Sequence, residues 1–64
     1  MDDHTVRLTV ELTEDEAEQL AQFLKRVGFS DFRGLATSDQ EAYLMRDATD
    51  RLRVALREVG FAPR

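Results

Sequence analysis

The chain has 64 residues, no cysteine, nine Lys or Arg against thirteen Asp or Glu, and a formal net charge of −4. A chain this short makes one domain at most and buries only about 60% of the surface it exposes when unfolded, and without cysteine it has neither disulfide staples nor thiolate metal ligands. No apolar run approaches the roughly 20 residues of a membrane span, and acids stand in "MDDHTVRLTV" where a secretory leader carries bases, so the expectation is an untargeted, cytoplasmic chain without membrane contact.

From Thr5 the sequence alternates, with Val6, Leu8, Val10 and Leu12 on one side and Thr5, Arg7, Thr9 and Glu11 on the other. That is the period-2 signature of a half-buried strand, over about residues 5–12. "TEDE" then pairs Thr13 with Glu16 as a capping box, and acids in the first turn suit the helix dipole. A first helix follows over about 14–27, its core stripe made by Ala17, Leu20, Ala21, Leu24 and Val27, with Phe23 at the margin.

Two nearly identical stretches, "KRVGF" (25–29) and "REVGF" (57–61), read as two helix ends. Gly28 and Gly60 would each take a left-handed conformation, with Phe29 folding onto Leu24 and Phe61 onto Leu56, and Pro63 barring any further helix. In "SDFRGLATSDQE", Ser30 and Asp31 read as the cap of one short turn holding Phe32, which Gly34 breaks. Ser38 and Glu41 make a second capping box, opening a helix over about 39–59. Its stripe is Ala42, Met45, Ala48, Thr49, Leu52, Ala55, Leu56 and Val59, with Leu44 at the edge, whereas Arg46, Asp50, Arg53 and Arg57 share a solvated face. Tyr43 and Val54 lie three turns apart on the polar side; they form either a partner patch or ordinary exposed apolar residues.

The expected fold class is therefore α+β, a β-α-α order in one small domain. A lone strand needs a ladder partner, and antiparallel pairing of Val6, Leu8 and Val10 with the same strand of a second molecule supplies one, giving an intertwined homodimer. The competing arrangement pairs the strand in parallel with a short strand at "FRGLA", which Gly34 weakens.

No catalytic constellation is present. Ser30 and Ser38 are explained as caps, Lys25 suits a helix C-terminus, and the acids of the first helix are too exposed for their titrations to be driven apart. His4, beside Asp2 and Asp3, belongs to a solvated tail more readily than to a metal site. No phosphate loop or zinc spacing occurs. The reading is a protein that is not an enzyme and has no cofactor, no metal and no small-molecule substrate.

Charge is unevenly placed, with eight acids against three bases in residues 1–32 and five against six in residues 33–64. Glu11, Glu14, Asp15 and Glu18 cluster where strand meets helix, and with Asp2 and Asp3 they imitate the charge of a nucleic-acid backbone. Such a face suits a basic groove on a host protein or ribonucleoprotein complex and disfavours direct nucleic-acid binding. Complementing the helix dipole accounts for the same acids without any partner. The alternative of another class is a ribbon-helix-helix DNA-binding dimer, a repressor or antitoxin reading DNA with Thr5, Arg7 and Thr9. Glu11 on the same face, the acidic helix start and the long interhelical segment oppose it.

"LAQFLKRVGFSDFR", the later "EAYLMRDA" and the terminal "GFAPR" resemble a family of uncharacterised proteins of about this length in proteobacteria, their phages and mobile elements. Small acidic products of such elements include inhibitors of host defence, anti-CRISPR proteins among them. The resemblance thus implies a phage or mobile-element inhibitor acting by binding, and it carries no established active residues.

Overall fold

The computed structural model describes residues 4–61 and consists of three helices, α1 (Glu14–Arg26), α2 (Phe29–Leu35) and α3 (Asp39–Glu58). Among the described residues no strand forms, so the protein is all-α and the expected α+β class is overturned. Alternation states that two sides of a segment differ, but a ladder needs a second strand, and the described residues provide none. Residues 5–12 run beside the helices without regular structure, and Val6 and Leu8 are each 77% exposed. The other strand candidate, around "FRGLA", is helical: α2 carries Phe32 inward and continues through Gly34 to Leu35.

α1 starts where its local chemistry requires. The Thr13 hydroxyl accepts from the Glu16 amide at 3.1 Å, and the Glu16 carboxylate accepts from the Thr13 amide at 2.9 Å, so two of the unpaired amides of a helix start are satisfied. α3 opens in a related way, with the Glu41 amide donating to the Ser38 hydroxyl at 3.2 Å. The Glu41 carboxylate, however, accepts from Thr37 at 2.9 Å, one residue outside the box expected for it.

The two "VGF" endings diverge. After α3, Gly60 takes φ +97°, its amide donates to Arg57 and the Phe61 amide donates to Leu56, while Phe61 packs on the cluster that holds Leu56. These are the bonds and the apolar contact of a Schellman motif. After α1, Gly28 has φ −124° and ψ 177°, an extended conformation open to any residue, and it is the N-cap of α2. The cause lies downstream: the Asp31 carboxylate accepts from the Gly28 amide at 2.8 Å, so a new helix starts before the left-handed cap can form. Gly28, and not Ser30, holds the cap position; Ser30 lies inside α2.

α3 is the spine, and both other helices pack on it. Ala17, Ala21 and Leu24 of α1 meet Leu56, with Leu20 and Phe61 against them. At the other end of α3, Phe29 of α2 lies tilted on Tyr43 with ring centroids 4.9 Å apart, and Phe32 and Ala42 are buried. Thr49, buried in mid-helix, donates its hydroxyl to the Met45 carbonyl at 2.8 Å and so leaves no polar atom unpaired. Arg53 departs from the solvated face expected of it: its guanidinium crosses to α1 and donates to the Leu24 carbonyl through Nε at 2.9 Å and also through Nη2, while Nη1 meets Asp50 at 2.5 Å. It supplies positive charge and donors to a carbonyl in the last turn of α1, where both are favourable.

The assembled chain measures 34 × 32 × 15 Å. Two helices packed about 8–10 Å apart already give that thickness between their outer Cα atoms, so the thin direction holds two helix layers and no third. The stripe that sequence marks for burial on α3 is accordingly half used: Ala42, Thr49 and Leu56 are buried, whereas Leu44, Leu52 and Val59 stand in water.

Two consequences are measurable by chemical denaturation. Gly60→Ala forces a side chain into the left-handed region and should cost about 1 kcal/mol, whereas Gly28→Ala should change stability by no more than a few tenths of a kcal/mol. Arg53→Met should cost about 1–3 kcal/mol through the lost charge-assisted bonds to Leu24, with Asp50→Ala below about 1 kcal/mol as an exposed ion pair.

Candidate interaction surface

The acidic corner is built by the entry into α1. The box that starts the helix places Glu14, Asp15 and Glu16 in its first turn, and Glu16 turns back to cap Thr13. Glu14, Asp15 and Glu18 are left exposed, with Glu11 just before them, also exposed. None of these four side chains makes a hydrogen bond or ion pair with another described residue; the described ion pairs are Arg33 with Asp39, Arg46 with Asp47 and Arg53 with Asp50. Asp15 lies across α1 from Ala17, Ala21 and Leu24, on the side that the core does not use, and Glu18 flanks that stripe. Asp2 and Asp3, grouped with them on sequence, lie outside the described residues.

Beside this corner is a groove of about 750 Å³ between residues 8–12, α1 and the C-terminal half of α3. Leu8, Val10 and Leu12 form one wall, Leu20, Leu52 and Val59 others, and among the described residues Glu11 is the single charged one lining it. Leu8 is 77%, Val10 69% and Val59 69% exposed. Sequence reasoning assigned Leu52 and Val59 to a core and Val6, Leu8 and Val10 to a dimer strand. The first two are surface residues of the single chain, and the other three form no strand. The signal available in sequence was quantity, because two apolar stripes on α3 and residues 6–12 exceed what one chain of this length can cover.

A smaller groove of about 520 Å³ separates α1 from α2, with Phe23, Val27 and Leu35 beside Gln19, Gln22, Arg26 and Asp31. Tyr43 and Val54, paired on sequence as a patch, differ in environment. Tyr43 holds α2 through Phe29 and carries the Arg46 guanidinium 5.0 Å from its ring centre, a cation–π contact that occupies its outer face. Val54 is simply half-exposed. Tyr43 belongs to the α2 end of the spine, whereas the acidic corner adjoins the α1 end, so the structure does not gather the two into one site.

Among the described residues no group of three or more His, Asp or Glu is arranged to hold a metal ion, and no helix is long and apolar enough to cross a membrane. Among the described residues Glu41 is the one carboxyl with a marked shift: hydrogen bonding from Thr37 holds it below its ordinary value of 4.5. The cause is a cap, and a carboxyl kept ionised at a helix start is poorly suited to proton transfer near neutrality.

The whole chain, residues 1–64, belongs to a family of unknown function, DUF7706. No curated protein and no solved structure matches it. This accords with the resemblance to a small uncharacterised family and carries no activity with it.

The Thr37 contact has a pH signature. A carboxyl whose folded-state pKa is depressed contributes stability above its unfolded value, and that contribution is lost as pH falls through the folded value. Denaturation midpoints of the wild type should therefore drop below pH 4.5 by more than those of Glu41→Gln, which keeps an acceptor and cannot titrate. Parallel curves for the two proteins would mean that the contact is absent in solution.

Proposed function

We propose that this chain is a non-enzymatic protein-binding module that works as a homodimer and presents Glu11, Glu14, Asp15 and Glu18 to a basic surface on a host protein or ribonucleoprotein complex. The observation that carries the reading is the corner itself: four exposed acids without an ion-pair partner among the described residues, beside a helix start that already has its cap. Complementing the dipole needs acids in the first turn only, and Glu11 and Glu18 lie outside it. In its specific form the module is a phage or mobile-element inhibitor of host defence, of the anti-CRISPR kind, whose acids occupy a groove meant for nucleic acid; the family resemblance and the small acidic chain support that form.

The DNA-binding alternative is less well supported. It needs a two-stranded ribbon to enter the major groove and two helices joined directly; residues 5–12 form no strand, and α2 stands between the two long helices. Acids at the start of α1 also oppose approach to phosphate.

Charge reversal tests the choice. Glu14→Lys with Glu18→Lys should abolish retention of a partner that the wild-type protein captures from a host lysate at low salt, with helix content unchanged by circular dichroism, since rim charges act chiefly on association rate. Undiminished retention would remove the acidic corner from the contact. Binding of the wild type to duplex DNA at about 50 mM salt, where even non-specific phosphate contacts are strong, should be undetectable; tight sequence-selective binding would favour the repressor.

A further inference from the structure

We infer that a second copy of this chain covers the apolar groove walled by Leu8, Val10, Leu12, Leu20, Leu52 and Val59, the two copies joining face to face. The inference deepens the homodimer of the proposed function by naming its surface, and it stands whatever host partner the acidic corner meets.

The first argument is dimensional. This chain is spread wide, two helix layers thick and 34 × 32 Å across. Its radius of gyration of 13.0 Å exceeds the roughly 11 Å of a compact chain of 64 residues. It exposes 5688 Å², against about 4,200 Å² for an average folded monomer of 7.4 kDa. The excess of about 1,500 Å² is more than the roughly 800 Å² that each partner contributes to a standard interface. The single chain therefore leaves more surface uncovered than one side of a standard interface takes.

The second argument is chemical. α3 continues its apolar stripe through Leu52 and Val59, and residues 8, 10 and 12 add a second apolar row beside it. An occupant of this face must itself be largely apolar, because among the described residues Glu11 is the only charge that lines it. A two-fold related copy meets that requirement automatically, since an isologous contact sets each patch against itself. An anionic lipid surface does not suit a chain of net charge −4, and a basic protein groove is the complement of the acidic corner and not of this face. None of Glu14, Asp15 and Glu18 lines the groove, so pairing leaves these three to the host partner, takes Glu11 into the covered face and narrows the acidic corner accordingly. The contact is made by side chains and needs no ladder between residues 5–12 of the two copies.

Sedimentation equilibrium between about 1 and about 200 µM, a range that brackets micromolar dissociation constants, should show twice the chain mass at the upper end. Leu8→Glu, at a site outside every helix, and Leu52→Glu should each give a monomer with wild-type helix content. Because the chain has no cysteine, a single thiol reports the face even if a charged variant fails to fold. Val10→Cys should react with a maleimide about tenfold more slowly at the high concentration than at the low one, in proportion to the free monomer, while Leu35→Cys, beside the other groove, should react equally at both. A wild type that stays monomeric at the upper concentration, a larger oligomer, or protection at Leu35 in place of Val10 would each overturn the inference. None of these outcomes bears on lysate capture by the acidic corner, so either reading can fail alone.

Discussion

The helices of this chain meet through alanine. Ala17 and Ala21 on α1 and Ala42 on α3 are among its most buried side chains, with Leu24, Phe32 and Leu56 supplying most of the remaining buried apolar bulk. Small side chains let helix axes approach closely, but each methyl removes little area from water compared with a leucine or phenylalanine. The same economy that fits three helices into 64 residues therefore leaves the interior thin. Contacts that are supplementary in a larger domain become principal here: the Arg53 guanidinium on the Leu24 carbonyl ties α1 to the spine, Phe61 folds back over the α1 contact, and Tyr43 holds α2 through Phe29.

The thin interior also sorts the surface. Because α1 spends its small residues on α3, its polar side is free to carry Asp15 and Glu18, and the entry into the helix adds Glu14. Leucine and valine that find no room inside collect on a different face, between residues 8–12 and the second half of α3. Two surfaces of opposite chemistry result from one packing arrangement. Attraction through the charged one is screened within about 8–10 Å at ordinary ionic strength and acts mainly on encounter; association through the apolar one is insensitive to salt and scales with area.

What the sequence disclosed depended on how far apart the interacting groups are. Thr13 with Glu16, Ser38 with Glu41, and the Gly60 ending all lie within five residues, and local rules place them. The Gly28 ending uses the same letters, yet Asp31, three residues later, captures its amide and converts a helix end into a helix start. The residue at that spacing after Gly60 is Pro63, which has no carboxylate to accept from the Gly60 amide. α2 was hidden for the same reason, since a seven-residue helix holding a glycine has little propensity of its own and exists because Phe29 and Phe32 pack on α3. Arg53 was misplaced because a helical wheel fixes where a side chain leaves the backbone, not where a long one ends. Of the proposed surface, the acids could be read directly, whereas the apolar groove was mistaken for core and strand.

That last mistake has physical content. Periodicity marks a residue for burial without saying by what, and in a chain of ordinary size the distinction seldom matters because the chain covers its own stripes. Here it does matter. Leaving a leucine or valine in water forgoes about 1.5–3 kcal/mol relative to full burial, and Leu8, Val10, Leu52 and Val59 are all largely or half exposed. The amount forgone over four such residues is comparable to the 5–15 kcal/mol that holds an entire domain together. Covering this face, as the proposed pairing does, therefore adds stability to a monomer that keeps its own helices, and the gain rises with concentration.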